Sequence, residues 1–273
     1  MKITFLGTGG GRFVIITQLR ASGGFIIEMD GEMIHVDPGP GALVKAVQNK
    51  INLRKLTGIV ITHTHTDHAT DAQIILEAMT LGTKKKRGVV IGNEYVFKAS
   101  KDRHYIPVYS RYHLKAVDKY YSLEPGESAN IGNVKITAVK TKHRDSKAIG
   151  IIFQGSKRIG YTSDTEYFKG LADFYKGCDY LIVNCLRPRN DGWPEHMNIA
   201  DAEKLIKKVK PKMAILTHVG MKLLRSVNYE AENITKNTGI KTIAARDNMI
   251  LNFDGDKDHT ALNRFMKGSI FFQ

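Results

Sequence analysis

Apolar residues in this chain fall in short runs separated by turn residues, and the runs form two similar series. In the first series, Lys2–Leu6, Gly24–Met29 and Met33–Val36 predict strands, the last running into Asp37-Pro38-Gly39-Pro40-Gly41. Ala42–Gln48 fits a helix, and Gly58–Ile61 is apolar enough for a strand buried on both faces. Ala72–Leu81 carries Ile74, Ile75, Ala78 and Leu81 at helical spacing. In the second series, Val134–Val139, Ile149–Phe153, Arg158–Thr162, Tyr180–Val183 and Met213–Leu216 predict strands. Phe168–Tyr175 and Ile199–Val209 predict helices, the second with Asn198 as N-cap and lysines at its end. Tyr229–Asn237 predicts a helix closed by Gly239, followed by strands Ile240–Ala244 and Met249–Asn252.

Two series of β-rich runs leading into βα units predict an α/β fold, with two sheets packed face to face and helices outside. No repeat or low-complexity linker divides the chain, so one domain is expected over residues 1–273, with an insertion at about 84–123. That insertion interleaves basic and aromatic residues, among them Lys84–Arg87, Tyr95, Lys101, Arg103, His104, Tyr105, Tyr109, Tyr112 and Tyr120. Such a stretch suits a nucleic-acid platform or a substrate lid. It equally suits aromatics packing the insertion onto the body or onto a second subunit.

A composition of 42% apolar and 25% charged residues is ordinary for a globular protein. No apolar run reaches the roughly 18–20 residues of a membrane span, and the first residues lack a signal-peptide pattern, so a cytoplasmic protein is expected. Cys178 and Cys185 are too few for a disulfide framework. A net charge of +14 admits an anionic partner, whether nucleic acid, nucleotide or phosphoester. A lysine-rich surface without such a partner would give the same number. The apolar tail, with Phe265, Met266, Ile270, Phe271 and Phe272, is free to pack on its own body or on a partner, so a homodimer stays open.

The chemistry concentrates in Thr62-His63-Thr64-His65-Thr66-Asp67-His68, directly after the buried run Gly58–Ile61. Burying that many polar groups requires partners for all of them, and imidazoles with a carboxylate suit zinc, manganese or iron. Alternation aims His63 and His65 the same way, while Asp67 and His68 turn toward a second position. Three more candidates sit after predicted strands: His143, Asp164 and His218.

This arrangement resembles the metallo-β-lactamase superfamily over most of the chain. The carriers are Phe5-Leu6-Gly7-Thr8-Gly9-Gly10, His63-Thr64-His65-Thr66-Asp67-His68, His143, Ser163-Asp164-Thr165 and Leu216-Thr217-His218. The resemblance implies a four-layer αββα sandwich of two mixed sheets. It implies two divalent ions, zinc first with manganese or iron as alternatives. His63, His65 and His143 would hold one ion, Asp67, His68 and His218 the other, and Asp164 would bridge them. Asp37 would orient ligands from behind. His196, in Glu195-His196-Met197-Asn198-Ile199, matches a histidine that assists the leaving oxygen in tRNA-trimming nucleases and cyclic-phosphate phosphodiesterases. Asn184 stands where the nucleases carry a carboxylate, and no N-terminal cysteine-rich zinc site is present, so the match to either branch is partial.

Two metals can clamp both oxygens of an in-line displacement, and a metal-activated hydroxide needs no Ser or Cys nucleophile. The expected function is a metal-dependent phosphodiesterase acting on an anionic small molecule or RNA, with Asp67 and His196 in catalysis. Arg187 and Arg189, after the strand end, are candidates for phosphate contact. Hydrolysis of a carboxylic ester, thioester or lactone is the alternative within the superfamily. An RNA-binding protein with a structural metal site is the alternative outside it.

Overall fold

The computed structural model describes residues 1–100 and 105–253, together with the backbone of 259–262. The chain first lays down β1 (Lys2–Phe5), β2 (Phe25–Met29), β3 (Glu32–Val36), β4 (Gly58–Ile61), β5 (Val89–Gly92) and β6 (Lys119–Ser122). It then builds β7 (Ser128–Ile131), β8 (Val134–Lys140), β9 (Ile149–Gln154), β10 (Arg158–Tyr161), β11 (Tyr180–Asn184), β12 (Met213–Thr217) and β13 (Lys241–Ala244). Strands β14 (Met249–Asn252) and β15 (His259–Leu262) return to the first group. The result is one sheet in the order β15-β14-β1-β2-β3-β4-β5-β6 and another in the order β13-β12-β11-β10-β9-β8-β7.

Side chains alternate between two environments along each central strand, and this sets the layers. On β11, Tyr180 and Ile182 point into the core between the sheets, where they meet Phe5, Ile34 and Val60 from the other sheet. Leu181 and Val183 point outward, under helices Ile199–Val209 and Val227–Thr238. On β4, Val60 faces inward, while Ile59 and Ile61 face helices Ala42–Gln48 and Ala72–Met79. Both faces of each sheet are therefore covered in their central strands, as strands without polar alternation require. The architecture is the four-layer αββα sandwich.

Strand direction decides where the chemistry gathers. Strands β3, β4 and β5 run parallel, as do β10, β11, β12 and β13. Strand β8 is antiparallel to β9, and β9 to β10, so β8 ends at the same edge as β10. Asp37, His63, His143, Asp164 and His218, which follow these strands, and Asn184, the last residue of β11, are thus delivered to the carboxyl ends of their strands, the usual place for α/β chemistry.

Most predicted elements appear within a residue or two. Asn198 caps its helix through a capping box with Asp201, and Gly239 closes the last helix at φ 72°. The helix expected over Phe168–Tyr175 is shorter, Leu171–Phe174. Helix Arg12–Thr17 has no counterpart in the sequence reading, because only Val14 is buried and Phe13 and Ile16 are exposed. The stretch 84–123, read as an insertion, contributes β5 and β6 to the first sheet. Strand β6 is the sheet's edge and its side chains are mostly exposed, which hides it among lysines and tyrosines. Lys101, Arg103, His104 and the apolar tail after Phe253 lie outside the described residues, apart from the backbone of β15. Among the described residues no helix is long and apolar enough to cross a membrane.

Candidate metal centre

The turn after β4 places His63 at the strand end and His65 just before the short helix Thr66–Ala69, which carries Asp67 and His68. The loop after β8 brings in His143. The rings of His63, His65 and His143 lie 4.7–4.8 Å apart, centroid to centroid, with interplanar angles of 67–74°. Three imidazoles turned edge to face around one point are arranged as three ligands of one ion. A second group, Asp67, His68 and His218, brings His68 Nε2 and His218 Nε2 to 3.2 Å, with Asp67 Oδ2 3.2 Å from His218 Nε2.

Asp164 stands between the two groups. Its Oδ2 lies 3.4 Å from Nε2 of both His68 and His218, 3.9 Å from Nε2 of both His63 and His143, and 3.6 Å from His196 Nδ1. Its other oxygen accepts a hydrogen bond from Asn184 Nδ2 at 2.7 Å. The structure therefore brings together His63, His65, Asp67, His68, His143, Asp164, His196 and His218 from five separate stretches of chain.

A network behind the cluster fixes which nitrogens face it. Asp37 accepts hydrogen bonds from Thr62 N, Thr62 Oγ1, His68 Nδ1 and Tyr161 OH, at 2.8–2.9 Å. The single hydroxyl proton of Thr62 goes to Asp37, and Ser163 Oγ donates to Thr62 Oγ1 at 2.7 Å. His63 Nδ1, 3.1 Å from Thr62 Oγ1, must then be the donor in its contact. Its Nε2 is left with a lone pair toward Asp164. His68 Nδ1 donates to Asp37, which likewise turns Nε2 inward. One buried carboxylate thus orients two histidines, the arrangement by which metal ligands are held.

The electrostatics call for a cation. Burial and the neighbouring histidines hold His63 well below the ordinary histidine value, and burial brings His143 down to about 3. Burial opposes charge on His68 too, but Asp164, Asp67 and Asp37 outweigh it and raise its pKa well above normal. Burial works against ionising Asp67 and Asp164, yet the surrounding imidazoles keep both carboxyls below their usual range. His63 Nε2 and His143 Nε2 are buried with no hydrogen-bond partner in the protein. Buried lone pairs without donors, beside buried carboxylates, fit divalent metal ions.

Close approach and backbone strain complete the site. Asp37, Ser163 and His218 all have positive φ, 49°, 54° and 56°, a conformation that costs of order 1–3 kcal/mol for a non-glycine residue. Gly10 packs so tightly on His218 that a methyl there would overlap the imidazole. Gly10→Ala is therefore expected to push His218 out of place and lower the metal bound per chain, measured by elemental analysis of dialysed protein. Full metal content in the variant would count against this.

Some contributors were not visible in the sequence. Asp145, 1% exposed, accepts from Thr64 N (3.2 Å) and Asn93 Nδ2 (3.2 Å), tying the loop between His63 and His65 to the loop of His143. Its signal was a carboxylate two residues past a ligand. Asn184, noted only as a missing carboxylate, positions Asp164. Arg187 and Arg189 are turned to other partners: Arg187 to Asp191 (3.2 Å) and the Trp193 ring, Arg189 to Glu203 (2.5 Å) and Glu230 (3.7 Å) on the neighbouring helices. Nearby carboxylates capture both guanidinium groups.

Two facing mixed sheets between helices, with a histidine–aspartate cluster at one edge, define the metallo-β-lactamase fold. The chain belongs to the beta-lactamase superfamily: the family's domain pattern matches residues 32–219, from β3 through His218. An uncharacterized protein of Methanocaldococcus jannaschii is 41% identical over 251 residues, 90% of this chain and 92% of its own. A ribonuclease Z of Thermococcus onnurineus is 25% identical over 266 residues, covering 80% and 84% of the two chains. Among solved structures, the metallo-β-lactamase fold protein YhfI of Bacillus subtilis matches with TM-score 0.72 at 21% identity, over 91% of this chain and 97% of its own. A diphosphatase of the PhnP family matches at 0.66 and 20% identity, over 93% and 98%. Human tRNase Z, short form, matches at 0.66 and 17% identity, over 92% and 99%.

Proposed function

We propose that this protein is a dinuclear metal-dependent phosphodiesterase acting on nucleotides, cyclic phosphates or RNA. The observation that carries the reading is Asp164, whose Oδ2 lies within 3.9 Å of a nitrogen on each of five imidazoles and so serves both three-residue donor groups. His63, His65 and His143 would hold one ion and Asp67, His68 and His218 the other. Zinc suits these ligands, and manganese and iron share them. When bound, a metal pair supplies an activated water and withdraws charge from the phosphate.

The rest of the chemistry belongs to the chain's own side chains. Asp37 and Thr62 hold His63 and His68 in the ligand tautomer. Asn184 fixes Asp164. His196 is held with its ring nearly parallel to that of His218 (13°, centroids 5.9 Å apart), at the rim of the cluster. In this reading it gives a proton to the leaving oxygen. Phosphoester rather than acyl chemistry draws support from similar proteins named diphosphatase, tRNase Z and ribonuclease Z, and from the net charge of +14.

The test is hydrolysis of bis-(p-nitrophenyl) phosphate by metal-loaded protein. Turnover should vanish with a chelator, return with added metal, and exceed turnover on lactone and thioester substrates. A preference for either acyl substrate would move the reading to the acyl hydrolases. Strong, salt-sensitive RNA binding without metal-dependent turnover would replace the enzyme with a binding protein.

A further inference from the structure

Between Arg187 and His196 the chain leaves the sandwich edge and returns in a short, built excursion. Its two ends are pinned: Leu186 N donates to Met197 O at 3.0 Å, and Ile199 N to Arg187 O at 3.1 Å. At its turn stands Trp193, the chain's single tryptophan, with 52% of its surface exposed. Its backbone pairs with that of His196, which donates N–H to Trp193 O at 3.3 Å. The Arg187 guanidinium carbon lies 4.3 Å from the centre of the indole ring. Arg187 is itself held by Asp191, which Lys222 also grips at 3.0 Å. The guanidinium thus backs one face of the ring and fixes its tilt.

Half-exposed and held at a fixed tilt, the indole offers a face on which a planar group can stack. We propose that Trp193, backed by Arg187, is a stacking platform for a nucleobase of the substrate, beside His196 and so on the leaving-group side of the cluster. This rests on the phosphodiesterase reading and narrows it: the substrate is a base-bearing phosphoester, a nucleotide or single-stranded RNA, rather than a base-free sugar phosphate. Stacking on an aromatic tolerates any base, because each has a π-face. Arg187, a candidate for phosphate contact from sequence, acts here through the indole.

The single tryptophan makes the test direct. Metal-loaded protein is titrated with AMP and with ribose 5-phosphate, following tryptophan fluorescence and, in parallel, heat of binding. AMP should quench saturably and bind more tightly, while ribose 5-phosphate leaves the emission nearly unchanged. Trp193→Ala should weaken AMP roughly tenfold, the scale of one lost base–aromatic stack, and bring the two affinities close together. Trp193→Phe should keep most of the preference. Equal affinity for the two ligands in the native protein, or an undiminished AMP preference in Trp193→Ala, overturns the platform. A saturable AMP quench in a protein that hydrolyses no phosphodiester would uphold the platform and sink the enzyme reading. Hydrolysis with no preference for the base would do the reverse.

Discussion

Asp164→Asn is expected to strip the protein of bound metal and to lower kcat/KM on bis-(p-nitrophenyl) phosphate by more than roughly 10³-fold, beyond the 10²–10³ of a single lost charge-stabilising donor. The reason lies in a single hydrogen bond. Asn184 Nδ2 donates to Asp164 Oδ1 at 2.7 Å, and a donor there demands an oxygen opposite it. An asparagine at 164 would satisfy Asn184 with its carbonyl oxygen. Its amide nitrogen would then occupy the place of Oδ2, 3.4 Å from both His68 Nε2 and His218 Nε2. A hydrogen-bond donor would sit where two metal-binding groups share an acceptor, and one of the charges that favours a cation would be gone. In the proposed dinuclear centre both ions should be lost together, because both donor groups meet at this atom. The check is metal stoichiometry by elemental analysis beside the rate, with a melting curve to show the variant folded. Two ions per chain and a rate within tenfold of the parent would overturn the shared role of Asp164.

The fold was legible because its central strands are apolar without alternation. Gly58–Ile61, Tyr180–Asn184 and Met213–Thr217 are buried along their whole length, and such runs announce interior parallel strands. What escaped the sequence was mostly the periphery, together with the buried strand Val89–Gly92, which the flanking basic and aromatic residues hid inside a stretch read as an insertion. Strand Lys119–Ser122 buries no side chain fully, and helix Arg12–Thr17 buries one, so neither leaves a periodic signal. The candidate site divides along the same line. The donors were readable because each follows a strand end, and because His63–His68 concentrates groups that a core does not tolerate unpartnered.

The groups that hold the donors were harder to read, since their partners are distant in sequence. Tyr161 reaches Asp37 across 124 positions, and Asn93 reaches Asp145 across 52. No local pattern encodes such pairs. Arg187 and Arg189 show the converse. Their proximity to a strand end was correctly read, but the carboxylates that claim them, Asp191, Glu203 and Glu230, decide where the guanidinium groups point. Arginine position along the chain says little about direction when acidic side chains compete for it.

His196→Gln is expected to separate two kinds of substrate. If His196 protonates the leaving oxygen, its worth depends on how badly that oxygen needs a proton. p-Nitrophenolate leaves readily as an anion, so turnover of bis-(p-nitrophenyl) phosphate should fall less than tenfold. A ribose alkoxide does not, so opening of a 2′,3′-cyclic nucleotide should fall by roughly 10²–10⁴, the usual contribution of a positioned general acid. Metal content should stay at the parent level. The competing role is ligation, since His196 Nδ1 lies 3.6 Å from Asp164 Oδ2 and forms a possible donor group with His143. A lost ligand would empty part of the centre and depress both substrates alike. Burial, only partly offset by Asp164, holds His196 below the ordinary histidine value. Equal loss on both substrates with metal retained would remove the proton from His196 and leave it a binding role at the rim, beside Trp193.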